Sequence, residues 1–218
     1  MENYNQCMLF EKIEQKDLDS IFNCLQAKKK TYQKEEIIQR AGEKIQQIGL
    51  ILSGKVKISR DDFYGNSSLL DEIGEGNIFG EVFLCMEIQE SPVTVIAVSN
   101  CEILFLNFNR MLFTCDHGCP FHTQLIKNML KIIAQKTLMQ NLKIDILSKK
   151  GIRERIQTYL FYEMKKSRTN AFEIPFNRKK LAEFLCVDRS ALSNELSKMQ
   201  KEGFIIFKKN KFKILVQE

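Results

Sequence analysis

The stretch that decides the fold is NRKKLAEFLCVDRSALSNELSKMQKEG, residues 177–203. Leu181, Phe184 and Leu185 recur at the spacing of one apolar helical face, and Leu192, Leu196 and Met199 recur at four and three residues on a second. Only Cys186-Val187-Asp188 separates the two patterns. Asp188 suits an N-cap, because its carboxylate can accept from the orphan N–H groups of a helix that starts at Arg189. Two short helices joined so tightly must cross steeply, and that is the geometry of a helix-turn-helix presenting its second helix to a DNA major groove. A helical hairpin buried in a core would show the same periodicity. The residues that follow favour the first reading. Gly203 stops the second helix, residues 204–207 and 212–216 read as two strands, and Lys208-Lys209-Asn210-Lys211 forms a cationic tip between them. A hairpin wing tipped with lysines suits phosphate contact better than burial.

Charge points the same way. Residues 148–218 carry 17 lysines and arginines against 8 acidic residues, a net +9, which leaves 16 against 19, a net −3, for residues 1–147. A basic end on an otherwise acidic chain implies a polyanion partner, double-stranded DNA being the one that the helix-turn-helix fits. At 218 residues the chain can bury a full core and divides into more than one domain. No apolar run is long enough for a membrane helix, and Met1-Glu2-Asn3-Tyr4 does not open a signal peptide, so a cytoplasmic location with no membrane partner is expected. Seven scattered cysteines, an odd number, suit reduced thiols rather than a disulfide framework.

Upstream of the basic end the texture changes twice. Leu18, Ile21, Phe22 and Leu25 mark a short amphipathic helix. From Thr31 to Phe108 short apolar runs alternate with turns at Gly42, Gly54, Gly65-Asn66 and Gly74-Glu75-Gly76-Asn77, the pattern of an antiparallel barrel or roll. Residues 121–147 then form one long helix without Gly or Pro. Leu125, Met129, Ile132, Met139, Leu142 and Ile146 follow a heptad-like seam, and Ile126, Leu130 and Ile133 make a second stripe. One stripe can cover the roll and the other can pair with a twin; the heptad-like seam is the expected dimerisation surface of a homodimer. A helix buried wholly within one subunit is the alternative. Ser148-Lys149-Lys150-Gly151 is the expected hinge before a helix carrying Ile152, Ile156, Tyr159, Leu160 and Met164. The expected fold class is therefore α+β. It comprises an N-terminal antiparallel β-roll (1–119), which the resemblance given next makes a sensor domain, a long dimerisation helix (120–147) and a C-terminal winged helix-turn-helix domain (148–218).

Ile51-Leu52-Ser53-Gly54-Lys55-Val56-Lys57-Ile58, then Gly76-Asn77-Ile78-Phe79-Gly80-Glu81-Val82, then a long helix and a helix-turn-helix resembles the Crp/Fnr superfamily of bacterial transcription regulators. The resemblance covers nearly the whole chain in the family's order. It implies a cyclic-nucleotide-binding-type roll that holds a small-molecule effector, a homodimer reading a palindromic DNA site, and RNA polymerase as a partner. It also implies that Gly80 and Glu81 begin the short helix over the phosphate-binding cassette, and that Gln140 and Asn141 stand near the level where the long helix offers polar groups to an effector. A helix N-terminus does offer N–H groups to an anion, and a nearby Glu can accept from sugar hydroxyls. A structural turn explains Gly80 and Glu81 equally.

The chain departs from the nucleotide-binding pattern where Ser91-Pro92 replaces Arg followed by Ser or Thr. The phosphate loses its positive partner and Pro92 removes an N–H donor, which disfavours cyclic AMP and leaves the effector unidentified. No haem or iron–sulfur motif is evident, since only Cys7 and Cys24 stand near the N-terminus. Cys115, His117, Cys119 and His122 gather in eight residues and could form a redox pair or a metal site, giving an alternative reading as a thiol-redox or metal-responsive regulator switching through Cys115 and Cys119. Pro120 makes the same segment a plain start of a helix. Cys85, Cys101 and Cys186 lie in apolar runs and read as small core residues.

On the second helix of the motif, Arg189, Ser190, Ser193 and Asn194 stand away from the apolar face and are the expected base readers. Arg can pair with guanine O6 and N7, and Asn with adenine N6 and N7. Ser190 and Asn194 depart from the acidic and basic residues of the best-known family members, so the half-site should differ. Arg178, Lys179, Lys198, Lys209 and Lys211 are expected on phosphates. An enzyme on a cupin-like roll would need inward histidines for a metal, and the roll has none, so no catalysis is expected.

Overall fold

The glycine-punctuated first half folds into two four-stranded antiparallel sheets. Residues 4, 7–64, 67–112 and 121–215 are described in this computed structural model. One sheet runs in the order β1 (Lys28–Tyr32), β8 (Cys101–Asn107), β3 (Gln47–Ser53), β6 (Ile78–Phe79). The other runs β2 (Ile37–Gln39), β7 (Thr94–Ala97), β4 (Lys55–Asp61), β5 (Ser67–Gly74). The fold class is α+β, as the sequence pattern predicts.

Strand β8 shows why the sheets face each other. Its sequence CEILFLN has no polar face, so both faces must be covered. Cys101, Ile103 and Phe105 pack with Ile51, Phe79, Val56, Val95 and Ala97 between the sheets. Leu104 and Leu106 join Ile48, Leu50 and Ile78 on the other face, under Leu18 and Ile21 of α1 (Leu18–Cys24). Strand β1 reads KKKTY and was not expected as a strand; it forms the sheet edge, where lysines are tolerated because one row of backbone groups faces water. Its register is fixed by pairing with β8 from Lys28 opposite Phe105 to Tyr32 opposite Cys101. The expected turn at Gly65-Asn66 lies outside the described residues.

Two short helices, α2 (Glu81–Cys85) and α3 (Phe108–Leu112), precede the long α4 (Phe121–Ser148). The chain divides into the units Met1–Ala134 and Gln135–Glu218, and the boundary falls within α4. In the second unit follow α5 (Ile152–Ser167), β9 (Ala171–Glu173), α6 (Arg178–Leu185), α7 (Arg189–Lys201), β10 (Ile205–Lys208) and β11 (Lys211–Ile214). The last strands form a sheet in the order β10-β11-β9. Leu181, Leu185, Leu192, Leu196 and Met199, the apolar faces of the helix-turn-helix, meet Tyr159 and Leu160 of α5 in one core. Each such aliphatic side chain contributes about 1.5–3 kcal/mol by leaving water.

The expected dimerisation seam must be corrected. Leu125, Met129 and Ile132 are buried in the core of the first unit, while Leu142 and Ile146 are buried in that of the second with Met139 partly buried beside them. Side chains already covered by their own chain cannot cover a partner. The large apolar residues that α4 leaves exposed are Leu130, Leu138, Ile144 and Leu147.

Candidate nucleic-acid interface and roll cavity

The turn between α6 and α7 is held from both sides. The Asn177 side chain accepts from the Lys180 N–H at 2.9 Å to start α6. At its other end the Val187 N–H donates to the Ala182 carbonyl at 3.0 Å and the Cys186 N–H to that of Glu183 at 3.2 Å, a pairing that puts Cys186 in the left-handed region at φ 51°. Arg155 then donates to the Leu185 and Cys186 carbonyls at 3.1 and 3.0 Å, satisfying acceptors that the helix end leaves open. Arg153 fixes α7 to α5 through Glu195, at 2.9 Å, and Glu202. Sequence periodicity does not reveal these two arginines, because their partners lie 30 to 49 residues away.

Asp188 caps α7, accepting from the N–H groups of Ser190 and Ala191 at 2.7 and 3.0 Å. The Ser190 hydroxyl donates to the same carboxylate oxygen at 2.5 Å, and these bonds hold the Asp188 carboxyl below its usual range. Ser193 donates its hydroxyl to the Arg189 carbonyl at 2.9 Å. Both expected serine readers thus spend their protons on the helix itself and retain only acceptor capacity, which matches amino groups of adenine or cytosine. Arg189 and Asn194 are exposed on α7.

The expected phosphate cations separate into two kinds. Arg178 is half-buried, with its guanidinium 5.0 Å from the Phe207 ring centre and a hydrogen bond of 3.5 Å to the Lys209 carbonyl, and burial lowers its pKa. It ties α6 to the wing. Asn210 fastens the wing tip by donating to Glu173 at 2.8 Å and to the Ile174 carbonyl at 3.3 Å. Lys179, Lys198, Lys209 and Lys211 are exposed; Lys179 and Lys211 reach Glu183 and Glu173 only at 4.0 Å.

Between the sheets of the roll lies a cavity of about 430 Å³. Ile38, Ile58, Val93, Val95, Phe79 and Phe105 give it apolar walls, and Gln39, Gln46, Gln47, Tyr32, Lys30 and Lys44 bring polar groups. The Phe79 wall depends on Gly49, since a Cβ there would meet the ring at 2.2 Å. Gly80 also lines the cavity, at φ 87°, where it starts α2. Glu81 is buried yet does not line it. Ser91 lines it, but its hydroxyl donates to the Val93 carbonyl at 2.7 Å and accepts from the Val93 N–H at 3.3 Å. Gln140 and Asn141 are exposed on α4 in the second unit.

Of the four residues expected as a redox or metal group, Cys115, His117 and Cys119 lie outside the described residues. His122 is buried, its Nε2 3.1 Å from the Arg110 carbonyl and 3.6 Å from the Cys24 sulfur. The carbonyl can only accept, so Nε2 carries the proton, and the ring anchors the first turn of α4 to α3 and α1. Of the cysteines read as core, Cys101 is buried, whereas Cys85 and Cys186 are exposed because both stand at helix C-termini.

Comparison with known proteins places names beside this geometry. The family described as "Cyclic nucleotide-binding domain" matches residues 29–117, and "Crp-like helix-turn-helix domain" matches residues 154–218. The cyclic AMP receptor protein of Thermus thermophilus is 25% identical over 197 residues, covering 90% of this chain and 87% of that protein. The solved structure of the catabolite activator protein of Thermus thermophilus has a TM-score of 0.53 at 22% identity, covering 95% of this chain and 93% of the other. That of DNR from Pseudomonas aeruginosa has a TM-score of 0.54 at 21% identity, covering 98% and 92%. The two structures share the fold of this chain.

Proposed function

The chain belongs to the Crp/Fnr superfamily of DNA-binding transcription regulators, and on that premise we propose that it is a homodimer that reads a palindromic site under control of an effector in the roll. The observation that carries the DNA-reading half is the α7 N-terminus. Arg189 and Asn194 stand exposed there on a helix whose cap, turn and wing are each tied down by Asp188, Arg155 and Arg178. A reader held rigidly on its scaffold loses little conformational entropy on binding.

Dimerisation is assigned to the exposed row of α4. Leu130, Ala134, Thr137, Asn141 and Ile144 recur at intervals of four and three residues and all are exposed. That is the seam of a two-stranded coiled coil, with Leu138 flanking it. Asn141 falls inside this seam, which supports a role in register between two chains as readily as contact with an effector. No described helix is long and apolar enough to cross a membrane. A cytoplasmic location and contact with RNA polymerase belong to the same proposal, as does the lack of catalysis, because the Thermus relative is a receptor protein of this family.

Control by the roll is supported by its cavity. Cyclic AMP itself is disfavoured, because Ser91-Pro92 offers neither a cation nor an N–H at Pro92, and the Ser91 hydroxyl is engaged. Any effector would act by binding one arrangement of the DNA-binding domains better than another. The test is fluorescence anisotropy against a pool of random duplexes at two salt concentrations, followed by sequencing of the retained fraction. The expected result is a two-fold symmetric site with half-sites about 34–36 Å apart, or a multiple of that. Absence of binding at low salt, or retention without sequence enrichment, would overturn the reading.

A further inference from the structure

Resting on the effector reading above, we infer that the roll cavity takes an organic anion with an apolar body, such as a medium-chain or aromatic carboxylate, rather than a nucleotide. The floor of the cavity is hydrocarbon. Phe79 and Phe105 meet edge to face with ring centres 6.3 Å apart, and Val93 and Val95 complete a floor that offers the hydroxyls of a sugar no partner. A polar ring buried against it would lose its water without replacement, at a cost of about 1–3 kcal/mol for each unsatisfied group.

Among the described residues that line the cavity, Lys30 and Lys44 are the charged ones, and no Asp or Glu stands with them. Most lysines of the roll sheets hold a carboxylate: Lys29 reaches Glu102 at 3.1 Å, Lys57 reaches Glu35 and Lys55 reaches Glu72 at 3.5 Å. Among the described residues neither Lys30 nor Lys44 has such a partner within 4.0 Å. The Lys30 ammonium lies 5.6 Å from the Phe105 ring centre, which places a cation beside the apolar wall. Tyr32 adds a hydroxyl that burial keeps protonated, and therefore a donor. Cations and a phenol donor beside a hydrocarbon floor match a molecule with a carboxylate at one end and an apolar body at the other. The volume of about 430 Å³ lies within the range of cavities that bury small ligands.

These 218 residues include no tryptophan, so a fluorescent probe can be followed without interference. Anilinonaphthalene sulfonate is titrated into the wild type and into the Lys30→Gln/Lys44→Gln double variant, whose changes are both at exposed side chains and are checked for fold by circular dichroism. Decanoate, decanamide and cyclic AMP are then used as competitors. The inference expects one saturable dye site per chain, an affinity about tenfold lower in the double variant, displacement by decanoate and at least tenfold weaker displacement by decanamide. Equal binding by the two proteins, equal competition by acid and amide, displacement by cyclic AMP, or no saturable site would overturn it. Anisotropy on the selected duplex separates this from the effector reading. Decanoate that fills the roll but leaves DNA affinity unchanged would sink effector control and keep the ligand class. Cyclic AMP that changes DNA affinity where decanoate does not bind would do the reverse.

Discussion

Cys186 occupies a backbone conformation that an L residue reaches only at a cost, φ 51° at the end of α6. The left-handed region costs a side-chain-bearing residue about 1–2 kcal/mol, whereas glycine reaches it freely and loses part of the gain to its larger unfolded-state entropy. Cys186→Gly should therefore raise stability by about 0.5–1 kcal/mol in urea melts, and an unchanged midpoint would show that the strain is relieved elsewhere. Glu163 makes the opposite point about charge. Burial raises its carboxyl above the usual 4.5 and Lys166, at 3.9 Å, only partly opposes this. Because its folded pKa exceeds its unfolded one, the native state binds the proton more tightly, and the stability it brings at low pH is lost as pH rises through the folded pKa. Glu163→Gln should stabilise the protein at pH 7 and lose that advantage as pH falls to about 4.5 and below, as read from melts across that range. At the reading face, Arg189→Ala should lose about 1–3 kcal/mol on the selected duplex and little on random DNA. Equal losses on both would remove Arg189 from the base readers. Of these residues, only the exposure of Arg189 was legible, from its place as the first residue of a capped helix. The strain at Cys186 and the burial of Glu163 were not, since each arises from neighbours distant in sequence or from the turn's own closure.

Among the elements, α4 carries the sharpest contrast between pattern and outcome. Its sequence contains two apolar stripes, and periodicity alone cannot say which is covered by its own chain. The more continuous one, through Leu125, Met129, Ile132, Leu142 and Ile146, is taken by the two cores, because intramolecular cover costs no association entropy. Of the second stripe, Ile126, Leu130 and Ile133, only Leu130 stays exposed, and Leu138 and Ile144 extend the bare row, each of these three more than half exposed. A Leu138→Glu/Ile144→Glu double substitution should shift the protein from dimer to monomer in sedimentation velocity while leaving helix content intact. A dimer of unchanged affinity would assign the interface to another surface. Strand β1 illustrates the reverse case. Its lysine-rich sequence carries no strand pattern, and it is drawn into the sheet by β8, which already has a partner in β3 and must be paired on its other side.

For the whole molecule, the division of charge sets how DNA is found and held. The net +9 of residues 148–218 includes the exposed Lys198, Lys209 and Lys211; placed on phosphates, as proposed, they would act through counterion release rather than through sequence. Lys209→Gln should lower the slope of log affinity against log salt by about one, equally on selected and random duplexes. A loss confined to the selected site would make it a reader instead. The sequence by itself determined the order of domains, the helix-turn-helix with its cap and wing, the sign of the charge at each end, and the missing cation at Ser91-Pro92. All but the last follow from local periodicity, capping chemistry and composition, which act over a few residues, and the missing cation is read against the nucleotide-binding pattern that the family resemblance supplies. Only the tertiary structure decided that Arg153, Arg155 and Arg178 brace the helix-turn-helix and its wing, that the serines of α7 are engaged, which residues of α4 stay bare, and that Lys30 and Lys44 stand beside the roll's hydrocarbon floor. Each of those depends on groups brought together from tens of residues apart, where burial and the satisfaction of polar atoms settle what periodicity leaves open.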